Sequence, residues 1–113
     1  MCYLYYYDDY FTGETPMNLA AKYGHLNVVE YYLTMLPGDK NPKRVSNDEF
    51  QDQTPLHSAA RSGNLQIVQA ISRKVSNKNP TDVHGLTPLY YAASVGNYDI
   101  VDYITENLEP GKI

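Results

Sequence analysis

One segment of the sequence occurs three times, and this internal repeat constrains the fold more than any other feature. The copies are TPMNLAAKYGHLNVVEYY from Thr15, TPLHSAARSGNLQIVQAI from Thr54 and TPLYYAASVGNYDIVDYI from Thr87. Thr, Pro, Ala, Ala, Gly and Val are identical in all three, and the threonines are 39 and 33 residues apart. A near-constant period of this length is typical of stacked repeat architectures.

Each copy predicts two helices. A Thr-Pro pair is typical of a helix start, because the threonine can cap a free N–H and proline at the first position loses no hydrogen bond. The glycine eight residues after each proline suits the left-handed residue that ends a helix. The apolar residues after that glycine then recur with the spacing of one helical face. No copy can bury its apolar face alone, so the copies must stack.

The predicted helix starts, helix ends and second apolar faces occupy equivalent positions in the three copies. The first helices begin at Pro16, Pro55 and Pro88 and end at Gly24, Gly63 and Gly96. The second helices carry Leu26, Val28, Val29, Tyr32; Leu65, Ile67, Val68, Ile71; and Tyr98, Ile100, Val101, Ile104.

The string T-P-L-x-x-A-A-x-x-G-N at 54–64 and again at 87–97 resembles the ankyrin repeat, and the copy at Thr15 resembles it with Met17 and Asn18 as departures. The resemblance covers about residues 9–108. It implies an all-α fold, an ankyrin-repeat solenoid of three helix-turn-helix units with projecting β-turn or hairpin loops.

We therefore interpret the chain as a single ankyrin-repeat domain. Its parts are repeats at about 9–41, 48–80 and 81–113, a Tyr-rich N-terminal segment at 1–8, and a long connecting loop at 37–53. Two features depart from the family pattern. The usual G-A-x-V-N after the second helix is replaced by LPGDKNP and KVSNKNP, and Asp52 stands where the other copies have Gly13 and Gly85.

Composition narrows the possible partners and the compartment. Nine Lys and Arg against thirteen Asp and Glu give a net charge of −4, which disfavours nucleic acid as a partner. The single cysteine, Cys2, cannot form a disulfide within the chain and fits a reducing compartment. The sequence shows neither a signal peptide nor a membrane-spanning stretch, so we expect a cytoplasmic, intracellular protein without a membrane partner.

The three histidines invite a metal or acid–base interpretation, but each has a simpler one. By the resemblance, the His57 ring is expected to hydrogen-bond the turn backbone, and His25 is expected to have a structural role as well. His84 lies in a predicted turn tip and is expected to face solvent or a partner. The sequence lacks the common metal, thiol, nucleophile and phosphate motifs, and its acidic residues are scattered. We expect no enzyme, no catalytic residue, no metal and no cofactor.

The remaining functional candidate is a surface. By the resemblance, the positions four, three and one before each threonine and the two after each Ala-Ala pair face partners. They are Phe11, Thr12, Glu14, Lys22, Tyr23; Phe50, Gln51, Gln53, Arg61, Ser62; and Val83, His84, Leu86, Ser94, Val95.

One of these positions is apolar in every copy, as Phe11, Phe50 and Val83. An apolar column on exposed turn tips favours partner binding. The alternative is that the aromatic rings fold back and pack on the adjacent turn.

The segments outside the repeated core allow more than one interpretation. The connecting loop carries Lys40, Lys43 and Arg44, then Asp48, Glu49 and Asp52, which we expect to be solvated or paired with one another rather than to bind a charged partner. Tyr3 to Tyr10 are interpreted as the remnant of a preceding unit or as a cap.

The third copy keeps apolar residues where a terminal repeat would have polar ones. These are Tyr98, Ile100, Val101, Tyr103 and Ile104. We therefore expect self-association through an uncapped C-terminal repeat, or that the chain is part of a longer protein.

Taken together, these features predict a protein–protein interaction module that binds another protein, whose identity the sequence does not give, without catalysis. The alternative is a structural spacer segment, a fragment of a longer ankyrin array without its own partner.

Overall fold

The computed structural model describes residues 15–38, 40–43 and 52–107, and these contain six α-helices and no strand. The helices are α1 Pro16–Lys22, α2 Leu26–Met35, α3 Pro55–Ser62, α4 Leu65–Ser72, α5 Pro88–Val95 and α6 Tyr98–Asn107. They form three consecutive pairs. In the first layer α3 packs between α1 and α5, and in the second α4 packs between α2 and α6. The prediction of an all-α stack of three helix-turn-helix units is confirmed.

Each first helix begins at the predicted Thr-Pro pair. The Oγ1 atoms of Thr15, Thr54 and Thr87 accept hydrogen bonds from the backbone N–H three residues later, at 3.0, 3.3 and 3.4 Å. Helices α3 and α5 end at the predicted glycines, since Gly63 and Gly96 adopt left-handed φ values of 87° and 80°. Helix α1 has Tyr23 as its C-cap, and the left-handed Gly24, with φ 80°, follows it. The caps inferred from sequence are therefore present.

Thr54→Ala is expected to lower the free energy of unfolding by about 0.5 to 2 kcal/mol, because the N–H of His57 loses its capping oxygen. The middle copy is the most informative one, because its helices pack against both neighbouring pairs. A local loss of stability there is therefore expected to change the unfolding transition of the whole domain. The urea midpoint measures the change, and Thr81→Ala at an exposed position is the matched control. Equal midpoints for Thr54→Ala and the control would contradict the capping role.

The core lies between the helix pairs. Val29 and Val68, at equivalent positions of α2 and α4, are both 0% exposed, so the predicted burial of Val68 is confirmed. Leu56 in the middle copy is likewise fully buried. The invariant alanine pairs allow the first helices to approach closely, and Ala21 and Ala60 have no exposed surface.

An asparagine links each copy to the one before it. Asn64 Nδ2 donates to the carbonyl of Ala21 at 3.3 Å, and Asn97 Nδ2 donates to the carbonyl of Ala60 at 2.8 Å. Glycine suits the preceding copy at this contact, because Gly24 has a left-handed φ of 80° and a Cβ there would lie close to Asn64 Oδ1, at 3.0 Å. This inter-repeat hydrogen bond uses the asparagine that follows the glycine in the second and third copies.

The KNP strings at 40–42 and 78–80 have a structural role that the sequence did not reveal. Lys40 Nζ donates to the carbonyls of Tyr32 and Leu36, and Lys78 Nζ donates to those of Ser72 and Val75. The two lysines thus donate to carbonyls in, or shortly after, the last turns of α2 and α4.

The asparagine of the first KNP string connects the loop to the next helix. Asn41 Oδ1 accepts from the N–H of Leu56, in the first turn of α3, at 3.1 Å. Lys43 Nζ donates to the carbonyl of Thr81 at 3.3 Å. Arg44, Asp48 and Glu49, the rest of the predicted charged arm, lie outside the described residues, as does the Tyr-rich segment.

Candidate functional site

The turn that precedes α5, residues 82–86, is closed by its own backbone. Gly85 N–H donates to the carbonyl of Asp82 at 2.9 Å, and Asp82 N–H donates to that of Leu86 at 3.0 Å. The Asp82 carboxylate also accepts from the N–H groups of His84 and Leu86. This finger, defined as residues 82–86, holds Val83 and His84 exposed at its tip.

Tyr91 anchors the finger to α5, because its hydroxyl donates to Asp82 Oδ2. Burial alone would raise the pKa of Asp82, but hydrogen bonds from Tyr91 and from the N–H groups of Leu86 and His84 outweigh it and lower that pKa. Burial and the contact with Asp82 raise the pKa of Tyr91 to about 12. The tyrosine therefore remains a neutral donor and the aspartate a charged acceptor at neutral pH.

His57 connects the middle copy to the same finger. Its Nδ1 accepts from the N–H of Thr54 at 3.1 Å, and its Nε2 donates to the carbonyl of Leu86 at 2.9 Å. These two bonds require the neutral ring with the proton on Nε2. Burial lowers the pKa of His57, consistent with that form. The predicted bond from His57 to the turn backbone is confirmed.

The other two histidines differ from His57. The His25 side chain is exposed and makes no capping hydrogen bond, so its expected structural role is not seen. At the start of α2 it is the backbone carbonyl of His25, not the ring, that accepts from the N–H groups of Val28 and Val29. His84 is exposed at the finger tip.

Several positions proposed to face a partner carry exposed apolar side chains. Tyr23 is 65% exposed, Val95 51% and Val83 47%. Ser62 and Ser94 are also exposed. Large apolar side chains exposed at such positions are available to a partner.

The two described basic residues of the predicted surface, Lys22 and Arg61, lie close to aromatic rings. Lys22 Nζ lies 5.5 Å from the ring centre of Tyr23. The Arg61 guanidinium lies 5.9 Å from the ring centre of Tyr91 and donates to Gln53 Oε1 at 3.0 Å. Lys22, Arg61 and Leu86 are all half-buried, so each presents only part of its side chain.

One candidate residue is placed differently from the expectation. Gln53 is 1% exposed and therefore does not face a partner. The amide oxygen of its side chain accepts a hydrogen bond from Arg61. Phe11, Thr12, Glu14, Phe50 and Gln51 lie outside the described residues, so of the apolar column only Val83 is described.

Two features at this surface were missed by the sequence reasoning. Tyr90, 52% exposed, stands where the middle copy has buried His57, and its ring meets that of Tyr91 edge to face. Asp52 takes a left-handed φ of 69°, close to the 75° of Gly85, and so keeps the turn that a glycine makes elsewhere. Aspartate tolerates this region better than most residues, which was the available signal.

A cavity of about 360 Å³ is lined by three lysines, Lys40, Lys43 and Lys74, and by both polar and apolar neighbours, among them Val75 and Pro80. No group of three His, Cys, Asp or Glu side chains within the described part of the chain could hold a metal ion. None of the helices in the described ranges has the length and apolar character that a membrane crossing needs.

The comparisons with known proteins agree with the repeat geometry. A family model described as ankyrin repeats, in three copies, matches residues 19–112. A comparison with curated proteins found no match. This match covers most of the sequence, and it agrees with the three helix pairs and the left-handed glycines. The chain therefore belongs to the ankyrin-repeat family.

Proposed function

We propose that this protein binds another protein through its fingers and the exposed positions at the ends of its first helices. Ankyrin repeats are generally protein–protein interaction modules. The observation that carries the proposal is the exposure of Tyr23, Val83 and Val95 at the positions where the family meets its partners. Aromatic and apolar anchors of this kind supply most of the affinity at protein interfaces.

The backbone that carries these anchors is held in place before any partner arrives. Val83 stands on a finger tied to α5 by Tyr91 and to α3 by His57. Tyr23 directly follows α1, whose Ala21 carbonyl is bonded to Asn64 of the next copy. A surface that is already ordered loses less conformational entropy on binding, which favours affinity.

The proposed surface comprises positions from all three copies. The described members are Lys22, Tyr23, Arg61, Ser62, Val83, His84, Leu86, Ser94 and Val95, and the resemblance adds Phe11, Thr12, Glu14, Phe50 and Gln51. Gln53 is left out because it is buried. The exposed anchors favour a binding module over the alternative of a spacer, which requires no such side chains.

We propose no catalytic role. His57, Asp82 and Tyr91 have shifted pKa values, but each is engaged in holding the finger. The shifts follow from burial and from bonds within that structure, so they do not indicate acid–base chemistry. The single cysteine supports an intracellular location, and the net charge of −4 favours a protein over a nucleic acid as partner.

The double variant Tyr23→Ser with Val83→Ser is expected to bind its partner at least about 10-fold more weakly than the wild type, because both anchors are removed. The partner is first captured from extracts of the source cell and purified, and its affinity is then measured by calorimetric titration. Tyr98→Ser is the matched control, since Tyr98 is 78% exposed but lies on α6. Unchanged affinity in the double variant, or an equal loss in the control, would contradict the proposed surface.

A second observation favours an additional interaction surface at the open side of the third copy. Ala93 is exposed, whereas the equivalent Ala21 and Ala60 are 0% exposed beneath the copies that follow them. We propose that this surface carries self-association.

A further inference from the structure

The cavity of about 360 Å³ brings lysines from two connections of the chain to one place. Lys40 and Lys43 follow α2, Lys74 follows α4, and all three line the cavity. Its lining residues all belong to the described part of the chain, and no aspartate or glutamate is among them. The walls therefore carry three positive charges in a chain whose net charge is −4. We name this cavity the lysine pocket.

Two of the three ammonium groups are fixed by the fold and still keep donors for a ligand. An ammonium group carries three N–H donors. Lys40 Nζ donates to the carbonyl of Leu36 at 2.5 Å and to that of Tyr32 at 3.4 Å. Lys43 Nζ donates to the carbonyl of Thr81 at 3.3 Å. These bonds place two positive charges at the pocket before any ligand arrives, which lowers the entropy cost of binding.

The polar lining of the pocket suits a phosphate group. Lysine ammonium groups bind phosphate as compact point charges. A phosphate monoester carries a charge of about −1.5 to −2 at pH 7 and three strong acceptor oxygens, so it can meet several ammonium groups at once. Ser76 and Asn77, both exposed, add a hydroxyl and an amide to the same lining.

The size and the apolar lining of the pocket indicate that the phosphate is attached to a small organic group. Sites for small molecules have volumes of about 300–1,000 Å³, and the pocket lies at the lower end of that range. Pro80 is buried and Val75 half-buried, and both line it. An organic group attached to the phosphate can bury apolar surface against these two residues, which a bare phosphate ion does not do.

We propose that the lysine pocket binds a phosphate monoester. The phosphate group contacts the ammonium groups of Lys43 and Lys74, and Lys40 adds a third positive charge beside it. The organic group lies against Val75 and Pro80. None of the described residues that we assign to the protein partner lines the pocket, so this site goes beyond the proposed function.

The site can be tested by NMR titration of the full chain without its protein partner. The probes are glycerol 3-phosphate and a short peptide that carries phosphoserine, and the controls are glycerol and the unphosphorylated peptide. At least one probe is expected to give saturating shifts that concentrate at the amides of Lys43 and residues 74–77, and the tighter probe identifies a free ester or a phosphorylated side chain as the ligand. No shifts with either probe, or equal shifts with the controls, would overturn the proposal.

Two variants test the lysines. Lys74→Gln is expected to weaken the Kd of the bound probe at least about 5-fold, and Lys43→Gln combined with Lys74→Gln at least about 20-fold, because each change removes a charged donor. Arg73→Gln is the matched control, since Arg73 is exposed, precedes Lys74 and does not line the pocket, and it is expected to change the Kd less than about 2-fold. Circular dichroism checks that helicity is retained. Wild-type affinity in the double variant, or an equal loss in Arg73→Gln, would contradict the assignment.

Thermal unfolding provides an independent readout. A ligand that binds only the folded chain raises the unfolding midpoint as its concentration rises. The wild type is expected to show this rise with the bound probe and the double variant to lack it, and an equal rise in both would overturn the site. Because both lysine variants keep Tyr23 and Val83, titration of them with the protein partner tests the proposed function separately.

Discussion

Leu56→Ala is expected to lower the free energy of unfolding by about 2 to 5 kcal/mol. The Leu56 side chain is 0% exposed, in the helix that packs between α1 and α5. Its removal forfeits the burial of apolar surface and leaves a cavity that the neighbouring helices cannot fill without moving. A domain of this size has a total stability of roughly 5 to 15 kcal/mol, so the variant loses a large share of it.

The third copy provides a matched control for this prediction. Leu89 occupies the same position on α5 but is only half-buried, because no described copy covers it. Leu89→Ala is therefore expected to cost clearly less than Leu56→Ala in urea unfolding at equal concentration. Val68→Ala, at a second fully buried position, is the milder companion, with an expected loss of about 1 to 3 kcal/mol. Equal losses at Leu56 and Leu89 would contradict the stacking order.

His57→Leu is expected to have the second-largest effect. It leaves the buried Thr54 N–H without its acceptor, at a cost of about 1 to 3 kcal/mol, and removes the bond to Leu86, worth about 1 kcal/mol. The finger also loses its connection to the middle copy. Urea unfolding at pH 7.5, where the imidazole of the wild type is neutral, measures the loss.

The wild type is also expected to lose stability as the pH falls below about 6.5, because burial lowers the pKa of His57 in the folded chain. The unfolded chain takes up the proton at the ordinary pKa of 6.5, while the folded chain resists it until a lower pH. Below 6.5 the unfolded state therefore binds more protons and is favoured, with a slope of up to about 1.4 kcal/mol per pH unit.

The pH dependence tests the role of the buried His57 ring. His57→Leu is expected to show a flatter stability curve than the wild type between pH 5 and pH 7. Asp82 affects stability at lower pH. Because its pKa is lowered in the folded chain, it contributes stability that is lost only as its carboxylate is protonated. A wild-type slope retained in His57→Leu would show that the buried imidazole does not set it.

The helices were predictable because their signals are local. Thr-Pro pairs cap the first helices, and glycine is the residue that best tolerates the left-handed φ at their ends. The burial of Val68 was predictable from the repeat, because the apolar faces of neighbouring copies must pack against each other. The roles of Lys40 and Asn41 could not be read in this way, because the carbonyls and the N–H that they bond are positioned only after the copies have stacked.

The sequence predicted which positions form the candidate surface, but not which of their side chains are exposed. The resemblance indicated Val83 and Tyr23, and both side chains are exposed. It also indicated Gln53, which is buried and accepts a hydrogen bond from Arg61, eight residues later in the chain. The bond between Tyr91 and Asp82 likewise joins a helix to a turn, which a one-dimensional pattern does not specify.

Mapping the partner by NMR is the most direct test of the central claim, that this protein binds another protein through its fingers and first helices. Backbone amide shifts are recorded for the labelled chain with and without the purified partner, at a concentration below that of self-association. We predict that the perturbed amides concentrate at Tyr23, Ser62, Val83, His84 and Val95. Perturbation confined to the second helices α2, α4 and α6, with these five amides unchanged, would contradict it.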